Sequence, residues 1–104
     1  MSLAWTNPTN ENFRAVEVHF STSSGFTPSS GTLLNTYYGE PAKAKIVNLG
    51  IAQGLSYDTN YYFKLRSVNV YGTASAYTSQ VTGQFKRATT TDVENLNASV
   101  ITAG

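Results

Sequence analysis

From Tyr61 the chain alternates: Tyr61, Phe63, Leu65 and Ser67 fall on one face, and Tyr62, Lys64, Arg66 and Val68 on the other. A period of two is the signature of a half-buried strand. The same period runs through residues 13–21, where Val16, Val18 and Phe20 turn inward while Glu17 and His19 point out to solvent. Residues 2–6 set Leu3 and Trp5 on one face, with Trp5 as a core residue, and stop at Asn7-Pro8 because proline cannot continue a ladder. Residues 32–38 predict a further strand, in which the adjacent Tyr37 and Tyr38 face opposite ways and one ring is exposed. Over residues 43–51 the phase is mixed: Ala44 and Ile46 set one parity, and Val47, Leu49 and Ile51 the other. A bulge near Ile46 and Val47 reconciles them, since one extra residue switches the facing. Residues 75–85 predict the last strand, bent at Gly83. Residues 21–32, rich in Ser, Thr, Gly and Pro and interrupted only by Phe26, read as a loop.

The approach to the strand at Tyr61 carries a second kind of signal. Leu55 is followed by Ser56-Tyr57-Asp58-Thr59, a corner in which Asp58 and Thr59 can bond their own backbone. A tyrosine where the chain enters the strand buries its ring and satisfies its hydroxyl on the upstream backbone, the tyrosine corner of β-sandwiches. Residues 54–72 thereby resemble the fibronectin type III family. Leu55, Thr59, Tyr61, Phe63, Leu65, Ser67, Asn69 and Gly72 fall at the spacing with which that family enters its sixth strand and leaves by the following loop. Tyr57 stands where the family usually has proline. The resemblance implies an all-β, immunoglobulin-like sandwich with Trp5, Leu55, Tyr61, Phe63 and Leu65 as its structural residues. In it, residues 2–6 look like the second strand, so nothing before Leu3 supplies the first. That absence opens one edge of residues 2–6 to pairing with another chain or with the tail.

Composition narrows the picture. A chain of 104 residues is one domain, burying about two thirds of its unfolded surface. There are no cysteines, which excludes a disulfide framework and a thiolate metal site. The position two after the corner tyrosine, a cysteine in immunoglobulin domains, is Phe63. With 12% of residues charged and a net charge of +1, no broad basic face for nucleic acid and no polybasic membrane patch is expected. No apolar run approaches the roughly 20 residues of a membrane span, and no signal peptide opens the chain.

The periodicity changes at Ala88, dividing the chain into a sandwich over residues 1–87 and a tail over 88–104. Thr91 and Glu94 fit a capping box, and Val93, Leu96, Val100 and Ala103 recur at the spacing of a coiled-coil seam. The tail is either a linker or the start of an oligomerisation helix with Val93, Leu96 and Val100 in its seam; isolated helices shorter than about 12 to 15 residues are marginal in water. A sandwich followed by this tail also resembles the C-terminal part of tail-tip and host-specificity proteins of long-tailed bacteriophages and prophages. There, such sandwiches precede a segment where three chains meet around the tail axis.

Catalysis needs converging groups, and Glu11, Glu17, Glu40, Asp58, Asp92 and Glu94 are scattered over loops, one strand face and the tail. His19 is the only histidine and has no second ligand to join it in a metal site. No glycine-rich phosphate loop opens a helix. The expectation is a non-enzyme without cofactor or metal. Of the seven tyrosines, Tyr38, Tyr62, Tyr71 and Tyr77 are candidates to stack on sugars or fill a protein interface, against cross-strand pairing on an open sheet face. The resemblance implies a spacer or binding module of a phage or prophage tail protein engaged in host attachment. Its partners would be other tail domains or subunits, a homotrimer in the parent, and a host-surface protein or polysaccharide. The location would be the virion tail or extracellular. The alternative is an accessory module of a secreted bacterial polysaccharide-degrading enzyme, or a surface adhesin.

Overall fold

The computed structural model of the chain describes residues 1–85 and 95–98. Among these residues seven strands form two facing sheets: β1 (Ser2–Thr6), β2 (Phe13–Ser21), β3 (Leu33–Tyr38), β4 (Ala44–Asn48), β5 (Thr59–Asn69), β6 (Val81–Phe85) and β7 (Asn95–Asn97). One sheet has the order β4-β1-β7 and the other β3-β2-β5-β6. All pairings are antiparallel except β1 with β7, which is parallel. The architecture is an all-β sandwich.

Alternation dictates the core. Leu3 and Trp5 from β1, Val16 and Val18 from β2, and Tyr61, Phe63 and Leu65 from β5 are all buried in the layer between the sheets, joined by Leu55. The indole Nε1 of Trp5 donates to Asn7 Oδ1 at 2.9 Å, and Asn7 Nδ2 donates to the Glu40 carbonyl at 2.9 Å, so the polar end of the buried ring is satisfied where proline stops the strand. Of the tyrosine pair in β3, Tyr37 packs on Trp5 with ring centroids 5.6 Å apart, and Tyr38 is 62% exposed.

In the corner before β5 the tyrosine hydroxyl and Thr59 bond the nearby backbone as expected. Ser56 N donates to the Tyr61 hydroxyl at 2.6 Å, and both Leu55 and Tyr61 are buried. Asp58 takes a left-handed backbone, φ 58°, a conformation that aspartate tolerates better than most residues, and its N–H donates to the Phe85 carbonyl at 2.7 Å. Tyr57 lies flat on Phe85, centroids 4.6 Å apart, so a stacked ring pair steadies the turn ahead of β5. At the far end of β5, Asn69 Oδ1 accepts from Tyr71 N and Thr73 N, each at 3.0 Å, which shapes the turn around Gly72.

Four expectations are corrected. β4 needs no bulge: its register with β1 runs unbroken from Ser2↔Asn48 to Thr6↔Ala44, with Val47 and Leu49 inward and Ile46 68% exposed. Ile46 is simply an apolar residue on the outer face. β6 begins only at Val81, because over the stretch before it Ser75 Oγ and Thr78 Oγ1 accept from Ser67 N and Leu65 N, replacing part of a backbone ladder with side-chain bonds. His19 points away from the sandwich interior yet is only 3% exposed, for reasons given below.

The fourth correction concerns the tail. Residues 95–97 are a strand, not a helix, and pair with β1 in the register Ser2↔Asn95, Leu3↔Leu96, Ala4↔Asn97. Leu96, expected in a seam between chains, is 7% exposed within the core of its own chain; Val93, Val100 and the Thr91–Glu94 cap lie outside the described residues. The reason is that the edge of β1 away from β4 offers a ladder of backbone N–H and C=O groups, whereas so short a helix has little to hold it. Gly83 completes the fit, since a Cβ there would stand 2.5 Å from Leu96 Cδ1. Residues 95–98 therefore belong to the sandwich rather than to a separate tail.

Candidate functional site: the outer face of the four-stranded sheet

Outward residues of β2 and β5 meet in cross-strand rows on the solvent side of the β3-β2-β5-β6 sheet. Ala15 pairs with Tyr38 and Val68, Glu17 with Thr36 and Arg66, and His19 with Leu33 and Lys64. In the middle row Arg66 Nε donates to Glu17 Oε1 at 2.6 Å. Its guanidinium also lies over the Tyr77 ring, 4.9 Å from the centroid. Arg14 covers Tyr38 in the same manner at 5.4 Å, and Lys64 covers Phe26 at 5.3 Å while donating to the Phe26 carbonyl at 2.9 Å. Three cations thus stand on this face, each against an aromatic ring, and one of them, Arg66, also pairs with Glu17.

Two depressions open on the face and share Glu17. The larger, about 420 Å³, is lined by Glu17, His19, Ser29, Leu33, Arg66 and Tyr77. The smaller, about 170 Å³, has Ala15, Thr36, Val68 and the Arg14–Tyr38 pair around it. Burial pushes the Tyr77 hydroxyl above its ordinary value; the Arg66 cation pulls against this and the Glu17 carboxylate adds to it. Tyr77 accordingly remains a neutral hydrogen-bond donor well into the alkaline range.

His19 is roofed by the loop before β3 and by Tyr77, whose ring meets it edge-on at 5.3 Å. Its Nδ1 is 2.8 Å from Thr32 Oγ1. That hydroxyl also accepts from Ser29 N at 2.9 Å and lies 3.0 Å from the Ser29 carbonyl, so it ties the ring to the loop. Nε2 lies 3.5 Å from Glu17 Oε1 and is the only buried side-chain nitrogen or oxygen among the described residues with no hydrogen-bond partner. The ring's role is to hold the loop over the sheet and to wall the larger depression.

Of the sequence candidates, Tyr38 and Tyr77 are brought to this face, and Tyr62 lies on it opposite Ser21 and Thr82. Tyr71 sits apart at the β5 turn, 78% exposed. Trp5, Leu55, Tyr61, Phe63 and Leu65 are in the core. Glu17, Arg66 and Arg14 were missed as a group. Their signal is the outward parity of β2 and β5, which becomes a cluster only once the Glu17↔Arg66 register is known. Among the described residues no group of three or more His, Asp or Glu side chains is placed to hold a metal. What the face offers is flat aromatic surface, hydroxyls and guanidinium donors, the means of non-covalent recognition. No family model matches the chain, and no curated protein or solved structure matches it.

Proposed function

We propose that this chain is a non-catalytic module of the fibronectin type III kind, serving as spacer and binding unit in the tail of a long-tailed bacteriophage or prophage particle, near the end that meets the host. The observation that carries the reading is the combination of a three-plus-four strand order with the Ser56–Tyr61 corner bond at 2.6 Å. The residues at the corner are those on which the family resemblance rests. The parallel pairing of β1 and β7 also suits a unit placed in series, since a chain running in at Ser2 and out past Ala98 travels from one end of the sheet to the other. The phage setting rests on the tail sequence.

Immunogold labelling of purified virions with antibody raised against this chain tests the setting. Label at the tail tip is expected; label absent from virions, or confined to secreted protein, contradicts it. The Tyr38–Arg14 and Tyr77–Arg66 face favours a second reading, an accessory module that holds polysaccharide for a secreted enzyme. In that case affinity electrophoresis in gels containing soluble polysaccharide should retard the chain, and Tyr38→Ala should abolish the retardation without changing the melting temperature.

A further inference from the structure

We propose that the groove along β1 is a strand-acceptor site that also takes residues 95–98 from a second copy of this chain, joining two molecules by exchange of β7. The occupant is defined by the structure itself. It runs parallel to β1, places Leu96 in the socket beside Gly83 and Leu3, and places Ala98 one repeat further along, where Ala98 N donates to the Ala4 carbonyl at 2.8 Å. Leu96 and Ala98 are 7% and 4% exposed, so the groove recognises a large and then a small apolar residue in an extended segment. Every copy carries this segment, and its pairing with β1 is the same whichever molecule supplies it.

Two further features favour exchange between copies. β7 is held by three register pairs, against five between β1 and β4, so it is the strand of this sheet that leaves at least cost. Once it leaves, the β1 edge is unpaired and seeks a replacement. The net charge of +1 gives two copies little electrostatic reason to stay apart. The choice between self and neighbour is then set by local concentration, and an assembly that holds copies side by side shifts it toward the neighbour.

The absence of cysteine makes the test clean. A nitroxide is attached to an unlabelled Asn97→Cys chain, which is unfolded and refolded together with nitrogen-15-labelled wild-type chain. Exchange predicts loss of amide peak intensity at Ser2–Thr6 of the wild-type copies, growing with total protein concentration and absent when the nitroxide chain also carries Leu96→Asp. Intensity loss confined to the nitroxide chain's own β1, seen when that chain is the isotope-labelled one, overturns the proposal. A nitroxide at Ser99→Cys gives the same reading should the label at position 97 disturb docking.

Discussion

Tyr61 does two jobs with one side chain: its ring fills the core and its hydroxyl accepts from Ser56 N at 2.6 Å, so the turn ahead of β5 is tied to the strand it feeds. Tyr61→Phe keeps the ring and leaves a backbone N–H without its partner. The expected cost is about 1–3 kcal/mol in chemical denaturation, and an unchanged midpoint would show that the hydroxyl contributes nothing to the corner. Gly83 matters through what it lacks. Gly83→Ala sets a methyl 2.5 Å from Leu96 Cδ1, and the expected penalty is about 1–3 kcal/mol of overpacking. Combining it with Leu96→Ala, which empties the socket, should recover part of that loss relative to the sum of the single variants. Tyr77 adds a dependence on pH. Its hydroxyl is held above the ordinary value by burial, so its stabilising contribution is full below the unfolded value of 10.0 and is lost as pH rises through the folded one. Melting temperature should therefore fall more steeply with alkaline pH in the wild type than in Tyr77→Phe; equal slopes would place the Tyr77 ring in solvent.

At the scale of elements, β2 and β5 are the strands whose period of two is longest, and their facing was legible from residues alone. The parity of β4 was not, because exposed Ile46 reads as a core residue when hydrophobicity is the only guide. The early start expected for β6 failed for a different reason: Ser75 and Thr78 bond the β5 backbone through their hydroxyls, and no pattern of apolar residues marks such a segment. β7 was hidden by its length. Three residues hold too little periodicity to distinguish a strand from a turn of helix, and the spacing of Val93, Leu96 and Val100 happens to satisfy a coiled-coil seam. Pairing of residues 2–6 with another chain or with the tail was nonetheless an expectation, because the family resemblance leaves one edge of that strand open. Leu96→Ala is expected to destabilise by about 2–5 kcal/mol, as deletion of a buried leucine does, and a change of a few tenths would mean that Leu96 lies outside the core.

For the whole molecule, the sandwich was legible because its evidence is local: alternation within strands, and one corner. The polar face on the β3-β2-β5-β6 sheet was not, because Glu17, Arg66, Arg14 and Tyr77 are distant in sequence and meet only through strand register and a loop. His19 shows the same limit. Its outward parity was right, and its burial comes from Thr32 and Tyr77, contributed by two other segments. The central claim is that the chain completes its own sandwich with residues near its C-terminal end. The most direct measurement is the urea unfolding midpoint of the full chain against a chain ending at Arg87. The account predicts a clear drop, worth at least the about 2–5 kcal/mol of a buried leucine, or loss of the cooperative transition altogether. Coincident unfolding curves for the two chains would contradict it, and would return residues 95–98 to the status of a tail.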